Sequence, residues 1–369
     1  MKKNQNSHDD WSILLSMFPK DWRSLGESSD ATNYMRGFAS PEALIRTLLL
    51  HIGKGYSLKE TATRAALAGL SDVSHVALFK RLKKSEQWLR LLCLALVEEN
   101  GIDLSKIDPK SNFRIVDGSI VREQGKTGSE WRFLFSMRLP SLDCDFFDLT
   151  SAKGAGTGES LSRLKVNRGD HILGDRVYAI SEGVAHVSSH GGFVLVRTNG
   201  VAMPFYGTDG KKIDVHKLLV PLTEVGKARE WAVIIKDKKG RALAGRLCAI
   251  RKSELEIQKA FRKLKLRESR KQYKLKSATV EFSKFIMVFT TFSEEKFDAT
   301  QIMELYRLRW QIELAIKRLK SLVKLGHIPK NDDSSCRAWL YGKLFLGLLT
   351  EKLARIGRAF SPWGYHVKI

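Results

Sequence analysis

From Asp298 onward, apolar side chains recur at spacings of three and four: Ile302, Leu305, Leu308, Ile312, Ile316, Leu319 and Val323. That period predicts one helix with a buried stripe, opened by Asp298 or Thr300 as its cap. A second row, Tyr306, Arg309, Glu313, Lys317 and Lys320, follows spacings of 3, 4, 4 and 3. At about 100° per residue the two rows lie side by side. The fold must therefore hold a carboxylate among cations at the edge of a core. Taken alone, the polar row also fits a solvated face with an intrahelical Glu313–Lys317 ion pair.

Upstream, residues 1 to about 100 read as helical. Pro41 to Ile52 starts an apolar-periodic helix, and Ser57-Leu-Lys-Glu60 fits a capping box that opens another. Ala68-Gly-Leu-Ser71 breaks that helix, and Ser74 to Leu82 and Gln87 to Glu99 follow as helices. A helix, a glycine-containing turn and a helix outline a helix-turn-helix, whose second helix would carry His75, Lys80, Arg81, Lys83 and Lys84. A plain helical bundle has the same outline.

The period changes at Asn112. Phe113 to Val121, Trp131 to Arg138 and Asp145 to Thr150 read as three hairpin-linked strands. Gly154-Ala-Gly-Thr-Gly-Glu-Ser160 lacks the lysine of a phosphate loop and reads as an entry to a short helix, Glu159 to Val166. His171 to Gly174 is a short strand, Ala179 to Ser188 a helix, and Gly192 to Asn199 a buried strand. Asp117 and Asp175 each end an apolar run, a place where aspartates commonly close strands and turns. This order predicts an α/β fold, an RNase H-like mixed sheet flanked by helices. Residues 201–296 read as further strands, with Arg251 to Lys276 carrying eleven Lys/Arg against three Glu. A long apolar helix from about Arg337 to Phe360 is expected to pack on the sheet.

The whole chain has 63 basic and 40 acidic residues, a net charge of +23. That excess points to a polyanion, nucleic acid before membrane, and Arg251–Lys276 is the natural backbone-contact surface. No apolar run approaches the 18 or so residues of a membrane span, and polar residues rather than an apolar signal region follow Met1. Cys93, Cys144, Cys248 and Cys336 are far apart with no CxxC pair, which fits a reduced cytoplasmic compartment and argues against a zinc ribbon.

Tyr306, Arg309, Glu313 and Lys320 stand at Y-x2-R-x3-E-x6-K spacing, preceded by Asp117 before a glycine and Asp175 in Gly-Asp-Arg. This pattern resembles the DDE transposases of bacterial insertion sequences, in the Tyr-Arg-Glu-Lys branch (insertion sequence four family). The resemblance spans most of the chain. It implies catalytic metal binding by Asp117, Asp175 and Glu313, with two Mg²⁺ ions for which Mn²⁺ can substitute. It implies contacts from Tyr306, Arg309 and Lys320 to phosphates of the element's end, and from Arg197 as a basic residue after the fifth strand. Lys317 joins these on helical geometry. Relatives that form a DNA hairpin stack a flipped base on an aromatic residue, for which Phe285 and Trp231 are the candidates here.

The expected organisation is then an N-terminal helical, DNA-binding domain (1–105), the first part of the catalytic core (106–200), a β-rich basic insertion (201–296), and the Glu313 helix with C-terminal helices (297–369). The expected function is cut-and-paste transposition: cleavage of double-stranded DNA at terminal inverted repeats and strand transfer into target DNA, by a synaptic homodimer in the bacterial nucleoid. A metal-dependent endonuclease of the same fold, or an inactive DNA-binding regulator, are the alternatives. Strand-joined products separate the first alternative, and absence of cleavage separates the second.

Overall fold

A mixed sheet of eight strands runs through the chain, in the order β3-β2-β1-β4-β5-β8-β7-β6. The computed structural model describes residues 10–99, 112–122, 130–151, 153–154, 156–199, 203–272, 274–275, 277–309 and 333–359. β1 (Phe113–Arg122), β2 (Glu130–Leu139) and β3 (Cys144–Ser151) form an antiparallel meander. β4 (His171–Gly174) and β5 (Phe193–Thr198) then add parallel to β1. β6 (Arg229–Lys236), β7 (Ala242–Arg251) and β8 (Phe285–Thr290) extend the same sheet, with β8 antiparallel to β5.

Side chains alternate across the strands, so each strand feeds two cores. On β1, Phe113 and Ile115 enter a larger core and Val116 a smaller one. Leu173 and Leu195 face the larger core, whereas Ile172, Val194 and Val196 face the smaller. Both faces are covered, which is why the parallel strands read as continuous apolar runs.

The larger core is closed by N-terminal helices and by one C-terminal helix. Helices α1 (Trp11–Ser16), α2 (Trp22–Ser28), α3 (Pro41–Lys54), α4 (Leu58–Leu67), α5 (His75–Lys84) and α6 (Glu86–Glu99) come first. Serines at 40, 57 and 74 cap α3, α4 and α5, each accepting from the backbone N–H three residues on. Of the basic residues expected to face DNA on α5, Arg81 is committed internally. Its guanidinium donates to the carbonyls of Ala31, Asn33 and Tyr34 at 2.7–3.1 Å. After α7 (Ser181–Ser189), α8 (Val215–Leu219), α9 (Glu254–Lys271), α10 (Ser277–Phe282) and the helix of residues 299–309, here α11, comes α12 (Asp333–Ala359).

α12 ties the N-terminal helices to the sheet. A Cβ on Gly342 would lie 2.4 Å from Ile52 Cδ1, so the glycine permits the close approach of α12 to α3. The Tyr341 hydroxyl accepts from the Cys144 N–H at 2.6 Å and donates to the Leu142 carbonyl at 3.1 Å. Arg337 donates to Glu86 at the start of α6 at 2.7 Å.

The helix expected over Glu159–Val166 is instead a single 3-10 turn, Leu161–Arg163. Tertiary bonds take the groups a helix would use. The Lys165 carbonyl accepts from buried Arg114 at 2.8 Å, and Arg163 reaches back to the carbonyls of Thr157 and Gly158. Arg114 also bonds Asp170 at 2.6 Å and Asp145 at 3.0 Å. The start of β1 is thereby fixed against β3 and the entry to β4. Among the described residues no helix is long and apolar enough to cross a membrane.

Candidate active site

Strand register brings the two candidate aspartates together. Ile115 pairs with Leu173, and Leu173 with Leu195. Two residues further along these three parallel segments stand Asp117, Asp175 and Arg197. A step of two keeps each on the face of its predecessor, here the face of the larger core. Neighbouring segments are about 4.8 Å apart, so the row carries two adjacent carboxylates and then a guanidinium.

Each aspartate is held by its backbone setting. Asp117 lies inside β1 and is 5% exposed. Asp175 follows β4 in extended conformation (φ −79°, ψ −171°), and its carboxylate accepts from the Val177 N–H at 2.7 Å. That bond caps the 3-10 turn Arg176–Tyr178, so the turn directs the side chain.

α11 approaches the same face. Asp298 is its cap: the carboxylate accepts from the Gln301 N–H at 2.8 Å, and the Gln301 side chain accepts from the Asp298 N–H at 2.9 Å. Ile302 and Tyr306 enter the larger core, as their spacing predicts. One turn after Ile302, Tyr306 is 5% exposed, and Arg309 is 1% exposed. Arg309 donates to the Tyr306 hydroxyl at 3.0 Å and stacks 4.7 Å from its ring centroid. The row next to the apolar stripe is thus buried over its first two members. Glu313, Lys317 and Lys320 lie outside the described residues.

Tyr178 links these parts. Burial pushes its phenol far above the ordinary value, and the charges of Asp117, Glu159 and Asp175 push it further, while Arg309 pulls it back. The charges of all four groups therefore reach this hydroxyl. The ring packs over Gly174, where a Cβ would meet Tyr178 at 3.0–3.2 Å. The Glu159 side chain occupies the space above Gly118, 2.8 Å from where a Cβ would be.

Arg197 is half-buried on β5, paired with Val288 of β8. After burial, its charge is the next largest influence lowering the nearby Lys252 ammonium. Two cations thus stand at the flank of the carboxylate pair. Sequence reasoning singled out neither Glu159 nor Tyr178, and took Lys252 only as part of the Arg251–Lys276 basic run. Only the three-residue step from Asp175 to Tyr178 marks one of them in the sequence.

Of the two aromatic candidates for stacking a base, Phe285 is 7% exposed in the smaller core, near the Arg251 guanidinium. It has no free ring face to offer. Trp231 is half-buried on β6.

Among the described residues no group of three or more His, Cys, Asp or Glu could hold a metal ion. The Asp117–Asp175 pair supplies two carboxylates, the hard oxygen donors that Mg²⁺ and Mn²⁺ take alongside water. The donor chemistry of the pair fits such an ion.

Comparison with known proteins gives the family of the chain. The family described as "Transposase DDE domain" matches residues 109–348. The InsL protein of insertion sequence element IS186A from Escherichia coli K12 is 27% identical, over 96% of this chain and 97% of its own length. The transposase for insertion sequence element IS421 of Escherichia coli is also 27% identical, over the same shares. The transposase for element IS1151 of Clostridium perfringens is 30% identical over 38% of this chain and 30% of its own length. Transposases act on DNA, and a DDE domain implies a divalent metal ion. With more than half of its length matched, the chain belongs to the transposase DDE domain family and is a transposase of the insertion-sequence kind.

Proposed function

We propose that the chain performs cut-and-paste transposition in an RNase H-like core, with Asp117, Asp175 and Glu313 as its metal-binding carboxylates, in the Tyr-Arg-Glu-Lys branch. One observation carries the reading. Asp117 and Asp175 fall at equivalent positions on adjacent parallel segments, on the face where α11 places Tyr306 and Arg309. Glu313 is one further turn along that helix in sequence, four residues after Arg309.

When bound, a pair of Mg²⁺ ions supplies Lewis acidity at the scissile phosphodiester. The carboxylates hold that charge in place. Arg309, oriented by Tyr306, presents a planar fork suited to a phosphate, and Arg197, Lys317 and Lys320 add positive charge around it. The reaction is hydrolysis at the element's terminal repeats, followed by attack of the freed 3′ hydroxyl on target DNA. A synaptic homodimer holds the two ends. α9, with its basic run and no buried residue, takes the DNA backbone outside the reacting centre.

The test is incubation of the chain with DNA bearing the element's ends, target DNA and Mg²⁺. Cleaved ends with a 3′ hydroxyl and strand-joined products are expected, and both should vanish in Glu313→Ala with DNA binding retained. Cleavage without joining would favour a nuclease. Equal products from both proteins would remove Glu313 from the site.

A further inference from the structure

β6 is the outer strand of the sheet. At its start, register sets Arg229 level with Thr198: Arg229 pairs with Ala249, Ala249 with Met287, and Met287 with Thr198. Thr198 follows Arg197, so this end of β6 lies at the end of the sheet that carries the carboxylate pair. At the other end Lys236 pairs with Ala242, and the chain turns through Asp237–Arg241. At about 3.4 Å per residue the strand carries Lys236 about 24 Å from Arg229, and the turn takes Lys238 and Lys239 further out. A second turn, Gly207–Lys211, is fastened to the same edge, where Tyr206 and Ile234 exchange backbone hydrogen bonds of 2.8 Å. Arg229, Lys211, Lys236, Lys238 and Lys239 are all exposed.

The acidic residues of the strand and of both turns are engaged locally. Glu230 is bonded to buried Arg246 at 2.6 Å. Asp237 accepts from the backbone N–H groups of Lys239 and Arg241 at 2.9 Å, and from the Arg241 guanidinium at 2.6 Å. Asp209 accepts from the Lys211 N–H at 3.0 Å. Gly240 and Gly210 take the positive φ of each turn, +77° and +73°. The turns are therefore well-defined platforms, and Lys236 is steadied 4.4 Å from the centroid of the Tyr206 ring. Lysine on an edge strand discourages pairing with another chain, and Lys236 suffices for that. Lys211, Lys238 and Lys239 sit within turns, where there is no ladder to block. A row of exposed ammonium groups with no shaped pocket suits the regular phosphates of a duplex.

We propose that the β6 edge and the tip of its hairpin form a track for duplex DNA, holding the backbone for most of one helical turn away from the reacting phosphodiester. This rests on the reading of Asp117 and Asp175 as the reacting centre. One turn of duplex is about 34 Å, against about 24 Å of strand and the turn beyond it. α9 leaves β7 at the carboxylate end, three residues after Arg251, so the hairpin tip is a separate contact.

The test is hydroxyl-radical footprinting of DNA carrying the element's end, with the full native chain and with a variant combining Lys236→Gln, Lys238→Gln and Lys239→Gln. The two proteins should melt alike, because the three side chains are exposed. Backbone protection should shorten in the variant by roughly 5–10 base pairs at one extremity. The slope of log affinity against log salt should flatten by about 2 or more. Loss on the element's side of the cut assigns the track to the element's own duplex, and loss on the other side assigns it to the flank. An unchanged footprint and salt slope would overturn the track, and so would protection lost only around the cut. Asp117→Asn is footprinted alongside and should keep the full protection while losing cleavage. If it cleaves as the native chain does, the reading of the reacting centre fails, while a footprint shortened by the lysine changes still places the tip on DNA.

Discussion

Asp117 on β1 and Asp175, the first residue after β4, each follow by two residues the pair Ile115 and Leu173 of adjacent parallel strands. Carboxylates a strand spacing apart repel unless a cation lies between them. Asp175→Asn relieves that repulsion and keeps an oxygen to cap the 3-10 turn, as Asp175 now does for the Val177 N–H. The metal-free melting temperature should hold or rise in the variant. Mg²⁺ should stabilise the native chain, by about 2.7 kcal/mol at a hundredfold excess over Kd, and the variant much less. Thermal unfolding with and without MgCl₂ reads both. Equal stabilisation of the two proteins would place the ion elsewhere.

Arg309 is nearly inaccessible, and it donates to the Tyr306 hydroxyl and stacks on the Tyr306 ring. Lysine lacks the planar fork, so Arg309→Lys should lose about 1–2 kcal/mol of folding stability. It should also slow DNA cleavage roughly tenfold, equivalent to about 1.4 kcal/mol at the transition state. Denaturant titration and cleavage rates check the two losses. A rate unchanged at reduced stability would confine Arg309 to the core.

α9 offers a separate test, because no residue of it is buried. Replacing exposed Lys263, Arg267 and Arg270 with glutamine should leave folding stability within about 0.5 kcal/mol. DNA affinity should fall for every sequence alike. The slope of log affinity against log salt should flatten by about 1 for each phosphate contact removed. An unchanged slope would move the backbone contacts off this helix.

His171 supplies a dependence on pH. Its ring lies among Phe113, Phe193, Phe292 and Phe297, with centroids 4.8–6.0 Å away. Burial lowers its value below the usual 6.5, the bond to Gly169 and the charge of Asp170 oppose this, and Lys296 reinforces it. The unfolded chain therefore binds a proton more readily than the folded one. Stability contributed by the neutral ring is full above about pH 6.5 and falls as the pH drops below it. His171→Phe should flatten that part of the stability profile; an equally steep acid limb in the variant would contradict this.

The parts of the fold legible in sequence were those set by local periodicity. α3 through α6 begin at their serine caps or within a residue or two of the expected starts, and the meander β1–β3 follows its alternating pattern. The turn at Leu161–Arg163 was not legible, because Arg114 and Arg163 reach it from elsewhere. Neither was the burial of Phe285, since β8 looks the same in sequence whichever of its faces is covered. Asp117 and Asp175 could be singled out by their glycine neighbours. That they share a row with Arg197 depends on strand register, which no local pattern specifies. The packing of Tyr178 over Gly174 could not be read from the sequence at all.

Ligation of a divalent ion by Asp117 is tested most directly by changing the ligand atom. Asp117→Cys replaces a hard oxygen with a soft thiolate, which Mg²⁺ binds poorly and Mn²⁺ tolerates better. Cleavage of DNA carrying the element's ends should be lost with Mg²⁺, by roughly a thousandfold, and recovered in part with Mn²⁺. Full cleavage by Asp117→Cys in Mg²⁺ alone would contradict the assignment of this carboxylate to the metal site.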